Sequence, residues 1–208
     1  ARQPIIDSSS MFSNTLEMAK SSDEEVARFA IGALANIAND ERFHDIVAKK
    51  EGLVSTILSL MQHNTLSIVR ESSRALANVL SSLVAQTIVI NDTSGIEAIV
   101  TVSKFEDLEC QLNTSVAFRK LATNSTSHEV FLSQDDVFSA VVNLATHKHN
   151  SQLGTEKKTL RNIKLQATAA LQDIASNHEF KVRFAKMGGI ETAIELASLS
   201  DIAIKTQA

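Results

Sequence analysis

The sequence predicts an all-α fold built from a repeated unit of three helices, and three observations support this prediction. The 208 residues include one proline and six glycines, whereas apolar residues make up 44% of the chain. This composition suits packed helices and lacks the turn signals and strict alternation of β-sandwiches and barrels. Apolar residues also recur at helical spacing. Finally, segments of similar sequence return at nearly regular intervals along the chain.

Four similar segments define the repeat, and each contains a leucine at the same place. These anchor leucines are Leu34, Leu76, Leu121 and Leu171. They are separated by 42, 45 and 50 residues, and the first two intervals match helical repeats of about 40–47 residues. We therefore predict the longest helix of each unit at about 23–39, 66–82, 111–125 and 160–177.

Two further elements recur between the longest helices. One is an apolar segment with helical spacing, found at 52–61, 95–102, 136–145 and 189–197. Gly52, Gly95 and Gly189 stand at its start, where a tight turn between helices requires a residue without a Cβ clash. The other is shorter and is found at 42–47, 129–132 and 180–184. The predicted unit is thus a short helix, a turn, a second helix, a loop and a longer third helix.

The repeats divide the chain into one continuous array. The predicted units are 8–40 (partial), 41–82, 83–126, 127–177 and 178–208 (partial). The longest interval is explained by an insertion at 147–159, which is almost devoid of apolar residues and is predicted to be a loop. Because neither end has the polar composition of a capping repeat, we expect the chain to be a fragment of a longer solenoid.

The segment RFHDIVAKKEGLVSTILSLM at 42–61, followed by VRESSRALANV at 69–79, resembles the armadillo repeat family throughout the three-helix unit. The resemblance extends over nearly the whole chain. It implies a right-handed α-solenoid of armadillo repeats whose third helices line a concave groove. It also implies a non-enzymatic scaffold or adaptor that binds partner proteins in that groove, often as extended segments.

The resemblance allows the groove positions to be compared one by one. In importin-α-like members, a recurring Trp followed four residues later by Asn holds the backbone of a basic peptide. The Asn positions here hold Asn36, Asn78, Thr123 and Asp173. The Trp positions hold Gly32, Arg74, Arg119 and Ala169. Because the chain contains no Trp, this pattern disfavours nuclear-import cargo binding, which stays as an alternative.

A row of arginines indicates a groove that binds a different kind of ligand. Arg70, Arg74 and Asn78 follow i, i+4, i+8 and share one helix face, and Arg119 occupies the position of Arg74 one repeat later. Arg28 and Asn36 extend the row in the first repeat. Guanidinium groups suit carboxylates, and asparagine amides can pair with a peptide main chain.

An acidic or extended peptide segment is therefore the predicted partner. Alternatively, the arginines form a solvated face tied to Glu71 and other local acids. A structural array that self-assembles or binds cytoskeletal filaments through its convex face or ends is also open.

No pattern of catalytic, cofactor-binding or metal-binding residues emerges from the sequence. Nucleophile elbows and phosphate-binding glycine motifs are missing. His147 and His149 form an H-x-H pair, but a flexible polar loop is the favoured interpretation. Cys110 lies among acidic residues that disfavour a reactive thiolate. His44, His128 and His178 recur near the short first helix, which predicts surface or capping positions.

Charge and cysteine content restrict partners and location. The net charge of −4 disfavours nucleic-acid binding, and no apolar run reaches the roughly 18 residues of a membrane span. A single cysteine forms no internal disulfide and suits a reducing compartment. The predicted location is the cytoplasm, with nuclear location and peripheral membrane association left open. The sequence does not determine the oligomeric state.

Overall fold

The structure, a computed structural model, describes residues 9–147, 154–199 and 201–207. Within these ranges the secondary structure is helical and includes no strand. No helix in the described ranges has both the length and the apolarity needed to cross a bilayer. The chain divides into two compact units, unit 1 at 1–102 and unit 2 at 103–208.

Unit 1 consists of helices that follow the predicted repeat. They are α1 (Ser9–Ala19), α2 (Glu24–Ala38), α3 (His44–Ala48), α4 (Leu53–Leu60), α5 (Leu66–Val79), α6 (Leu83–Ile90) and α7 (Thr93–Ser103), the last of which ends at the unit boundary. A 3₁₀ turn, Glu41–Phe43, precedes α3. The long helices α2 and α5 pack against each other, with α1 on α2 and α4 on α5.

Unit 2 contains a similar succession of helices. They are α8 (Leu108–Ala122), α9 (His128–Ser133), α10 (Asp135–Ala145), α11 (Gly154–Ser176), α12 (Lys181–Lys186), α13 (Gly189–Ser198) and α14 (Ile202–Gln207). A 3₁₀ turn, Ser125–Ser127, precedes α9. The long helices α8 and α11 pack against each other, and α10 and α14 both contact α11.

Local sequence explains where the third helices begin and which face they bury. The Asp23 carboxylate accepts hydrogen bonds from the backbone N–H groups of Glu25 and Val26 at 3.0 and 3.2 Å. Asp107 caps α8 in the same way through the N–H of Cys110, at 2.9 Å. Such caps satisfy N–H groups that lack a partner inside the helix. All four anchor leucines are buried in the core, as their spacing predicted.

The four predicted third helices are confirmed as α2, α5, α8 and α11, but the predicted loop at 147–159 is wrong from Gly154 onward. Helix α11 begins at Gly154, and residues 148–153 lie outside the described residues. The polar composition of this segment was misleading, because Glu and Lys are strong helix formers that can occupy an exposed helix surface. Helix α6 was not identified from the sequence, since its run of apolar residues has no clear helical period.

The glycines at the turns have two different roles. Gly52 and Gly188 have φ of 75° and 87°, the left-handed conformation that side chains disfavour. Gly95, by contrast, lies inside α7, and Gly189 is the first residue of α13. A Cβ on Gly95 would lie 2.6 Å from Leu58 Cδ1, and a Cβ on Gly189 would overlap the Phe184 ring. At these two positions glycine allows close helix packing, so the prediction of a turn is wrong there.

Replacing Gly189 with alanine is expected to destabilise unit 2 by about 1–3 kcal/mol, because the added methyl group overpacks the core. The Phe184 ring cannot easily yield, since it is buried and packs edge-on against Phe138 with centroids 5.6 Å apart. Urea unfolding followed by circular dichroism measures the change. The matched control is Gly154→Ala, where nothing lies within 4 Å of the new Cβ. Equal midpoints for the two variants would contradict the packing argument.

Candidate functional site

The predicted binding residues occupy the exposed side of the third helices in each unit. In unit 1 we define the third-helix face by eight of the exposed and half-buried residues of α2 and α5: Arg28, Phe29, Gly32, Asn36, Arg70, Glu71, Arg74 and Asn78. In unit 2 the corresponding set on α8 and α11 is Arg119, Thr123, Gln166 and Asp173. Each unit therefore has polar side chains on its own pair of long helices.

Arg74 connects the two long helices of unit 1. From α5 its Nη1 donates a hydrogen bond to Asn36 Oδ1 on α2 at 2.8 Å, and its Nη2 donates to the Gly32 carbonyl at 3.4 Å. Nε donates to Glu71 Oε2 at 3.0 Å, and Nη2 contacts the same oxygen. Four donor interactions thus fix the guanidinium. The alternative that Arg74 is tied to Glu71 is confirmed, and Arg74 also supports packing between repeats.

Gly32 provides the space that this arrangement occupies. A Cβ at Gly32 would lie 3.3 Å from Glu71 Oε2 and 3.9 Å from Arg74 Nη2. Gly32 stands at one of the positions that hold Trp in importin-α-like sequences. A larger side chain at position 32 would have to displace the Glu71 carboxylate of α5. Gly32 therefore leaves room for the Glu71–Arg74 pair.

The two asparagines of unit 1 have different environments. Asn78 is half-buried, and its Nδ2 donates to the Ala35 carbonyl of α2 at 2.9 Å. Asn36 is exposed. Because Asn36 Oδ1 accepts from Arg74, the orientation of the amide is fixed, and its Nδ2 has no partner among the described residues. Asn78 is thus engaged in packing, whereas Asn36 has donor capacity toward solvent.

Phe29 is a member of the third-helix face that sequence reasoning missed. Its side chain is 63% exposed, and the Arg28 guanidinium lies 4.1 Å from the ring centroid. This is a cation–π contact between neighbours on α2. The repeat pattern could have indicated Phe29. It precedes its anchor leucine by the same number of residues as Glu71 and Gln166 precede theirs, and those two residues lie at the contact between long helices. Arg70 is half-buried on α5.

The polar side chains of the second unit form a separate group. Arg119 on α8 donates from Nη1 to Gln166 Oε1 on α11 at 2.8 Å. Burial raises the pKa of Asp173, and the positive charge of Arg119 partly opposes that rise. Burial also lowers the pKa of Lys120. The Thr123 hydroxyl donates to the Lys120 carbonyl at 2.7 Å, so it completes the end of α8.

His128 is buried, so the prediction of a surface position is wrong for it, whereas the alternative of a capping position is confirmed, because its imidazole bonds the last carbonyl of α8. Its Nε2 lies 2.7 Å from the Ala122 carbonyl, and its Nδ1 lies 3.0 Å from Asn177 Nδ2. The Phe180 ring packs edge-on against the imidazole, with centroids 6.2 Å apart. Because a carbonyl can only accept, Nε2 carries the proton and Nδ1 accepts from Asn177. His128 therefore connects the end of α8 to the segment after α11.

Other candidate chemistry has little support in the described residues. Within them no group of three or more potential metal ligands is found. His147 belongs to the described part, whereas His149 and the rest of the H-x-H segment lie outside it. The Cys110 thiol is fully buried. Neither His147 nor Cys110 belongs to the third-helix face.

Solved structures with the same fold resemble this chain at low sequence identity. An engineered protein is 24% identical, with a TM-score of 0.77 over 99% of this chain and 81% of that chain. A designed armadillo repeat protein in complex with the peptide (KR)4 is 19% identical, with a TM-score of 0.79 over 99% of this chain and 82% of that chain.

A third match comes from work on a phosphorylation switch that controls the interaction between cadherin and beta-catenin. It is 17% identical, with a TM-score of 0.73 over 95% of this chain and 35% of that chain. No protein-family model and no curated protein sequence matches the chain. The structural matches show an armadillo-like repeat fold, an all-helical α-solenoid, and confirm the fold predicted from the sequence.

Asn78→Ala is expected to destabilise unit 1 by about 1 kcal/mol, because the Ala35 carbonyl loses a hydrogen bond that joins α5 to α2. Chemical denaturation measures the effect. Asn39→Ala is the matched control, because Asn39 is exposed and caps α2 only through its backbone N–H, which alanine retains. A change within about 0.5 kcal/mol is expected for the control. If the control loses as much stability as Asn78→Ala, the inter-helix bond is not the cause.

Asp173→Asn is expected to stabilise unit 2 at pH 7. Because folding raises the pKa of Asp173, the folded state binds its proton more tightly, and the ionised carboxylate is disfavoured at neutral pH. The advantage of asparagine should shrink as the pH falls from neutral through the raised folded-state pKa, and it should be lost below about 3.9, the ordinary aspartate pKa, where both folded and unfolded states are protonated. Thermal unfolding of both proteins across this pH range tests the sign. A stability gain that grows in acid would contradict it.

Proposed function

We propose that this armadillo-like repeat protein is a non-enzymatic interaction scaffold that binds extended segments of partner proteins on its third-helix faces. The observation that carries the proposal is the fixed polar row of unit 1, in which Arg74 holds the exposed Asn36 in one orientation. The fold supports it as well, since a designed protein of similar fold is described in complex with a peptide.

The physical advantage of this row is preorganisation. An extended peptide presents main-chain N–H and C=O groups at regular spacing, and an asparagine amide can pair with either. Arg74 already bonds the side-chain oxygen of Asn36, so the Nδ2 group of Asn36 is left as the donor for a ligand. A side chain that is held before binding loses less conformational entropy when the ligand arrives. Asn36 is therefore the residue we assign to main-chain recognition.

The charges of the third-helix face in unit 1 favour an acidic segment. This face carries three arginines, Arg28, Arg70 and Arg74, and one acid, Glu71, which is paired with Arg74. The nearby Glu24 accepts a hydrogen bond from Thr65. Arg28 and Arg70 are half-buried, so part of each side chain is accessible to a ligand. In unit 2, the charge of Arg119 acts on Asp173. We infer that acidic side chains of the ligand lie near Arg28 and Arg70.

Phe29 adds an apolar contact to this surface. An exposed aromatic ring next to a guanidinium offers area for an aliphatic or aromatic ligand side chain at low entropic cost. The ligand we propose is thus an extended, acidic segment with an apolar residue near Phe29. Cys110 is buried, and because a single cysteine forms no internal disulfide, it suits a reducing compartment such as the cytoplasm.

Selection of unstructured peptides from a random display library, followed by titration calorimetry with the full chain, tests the proposal. We expect enrichment of acidic sequences and a loss of about tenfold in affinity for Asn36→Ala, the effect of about 1.4 kcal/mol. Arg70→Ala should weaken acidic ligands specifically. Lys49→Ala is the control, since Lys49 is exposed at the end of α3, away from the third helices.

Three outcomes would contradict the proposal. Enrichment of basic peptides would favour the import-like alternative, despite the missing Trp ladder. Binding unaffected by Asn36→Ala and Arg70→Ala would move recognition away from the third-helix face. No enrichment at all, with self-association in analytical ultracentrifugation, would favour the structural-array alternative. Circular dichroism of each variant verifies that its helices are intact.

A further inference from the structure

Helix α11 differs from the other third helices in length. It has 23 residues, whereas α2, α5 and α8 have 15, 14 and 15. All four helices end shortly after their anchor leucines, but α11 starts further before its leucine than the other three start before theirs. Most of the additional length is therefore at the N-terminal end of α11.

The N-terminal half of α11 is strongly basic. Between 154 and 165 it contains one acid, Glu156, and four cations, which we call the basic stripe: Lys157, Lys158, Arg161 and Lys164. The first three are exposed, and Lys164 is half-buried. Lys157, Arg161 and Lys164 are spaced i, i+4, i+7 and lie on one side of the helix. In the part of the chain that the structure describes, none of the three lysines forms an ion pair.

This half of α11 is anchored to the core. Leu160 and Ile163, on another side of the same turns, are buried, and α11 packs against α8, α10 and α14. The cations are consequently presented by a fixed helix. Like charges held together on one helix repel each other, and an anionic ligand would relieve that repulsion.

The structure already shows a carboxylate bound to the stripe. Arg161 donates from Nε to Asp201 Oδ2 and from Nη2 to Asp201 Oδ1, the latter at 3.2 Å. This two-point contact is the preferred geometry between a guanidinium and a carboxylate. The hydrogen bond from Arg161 lowers the pKa of Asp201. Among the cations of the basic stripe, Asp201 pairs only with Arg161. The neighbouring lysines can therefore bind further carboxylates.

We propose that the basic stripe of α11 is a docking surface for an acidic polypeptide segment, separate from the third-helix face. A membrane surface fits less well, because none of the exposed large apolar side chains among the described residues belongs to α11, and membrane-binding helices insert such side chains. Nucleic acid also fits less well, because α11 contains no aromatic side chain on which a base could stack.

Fluorescence anisotropy with a labelled peptide of alternating glutamate and serine tests the proposal on the full chain. The test variant is Lys157→Ala/Lys158→Ala/Lys164→Ala, in which alanine preserves the helix. The matched control is Lys181→Ala/Lys186→Ala/Lys205→Ala, which removes the same charge from exposed positions of the same unit. We expect the stripe variant to lose affinity about tenfold or more and the control to change little. Binding should vanish near 1 M salt, where the screening length is about 3 Å.

Several outcomes would overturn the docking surface. One is failure of the acidic peptide to bind the wild-type chain. Another is equal loss in both triple variants, which would mean that overall charge is responsible. A third is stronger binding to phosphatidylserine vesicles or to single-stranded RNA than to the acidic peptide. Because the third-helix face is also proposed to bind acidic segments, both triple variants are compared in an Asn36→Ala/Arg70→Ala background, where a loss confined to the stripe variant reports on the stripe alone.

Discussion

The contact between successive third helices is the interaction on which the rest of the structure depends. In unit 1 it joins α2 to α5, and in unit 2 it joins α8 to α11. Each of these helices has an apolar face too wide to be covered by the shorter helices of its own repeat, so the neighbour must cover it. The buried Ala35 lets the backbones approach. That approach brings the Ala35 carbonyl within reach of Asn78.

The same contact creates the polar surface. Side chains at its exposed margin have to satisfy hydrogen bonds across two helices, and they do so differently in each unit. Unit 1 uses a small residue, Gly32, opposite the Glu71–Arg74 pair. Unit 2 uses a direct bond from Arg119 to Gln166. A surface whose side chains are fixed by packing in this way is well suited to bind a flexible segment, because most of its ordering cost is met on folding.

Charge is distributed unevenly over this fold. Some cations are used in packing between helices, and others are those that we propose for recognition. Arg74 and Arg119 are held by neighbouring side chains and contribute to the contact between helices. The lysines of the basic stripe, in contrast, have no ion pair among the described residues. Cations engaged in internal bonds are poor candidates for strong attraction of a ligand. The uncompensated ones are better candidates, because a ligand gains their full electrostatic attraction without breaking an existing bond.

The sequence alone determined the fold class and the third helices, because helical periodicity and the anchor leucines are local patterns repeated along the chain. It did not determine α6, the helical start of α11 or the burial of His128. Nor did it show that Arg74 and Asn78 join α5 to α2. Those features depend on partners that are distant in sequence. Asn36 lies 38 residues from Arg74, Ala35 lies 43 residues from Asn78, and Asn177 lies 49 residues from His128. Only the tertiary structure brings such residues together, since a local pattern records which face of a helix is apolar but not which side chain of the next repeat it meets.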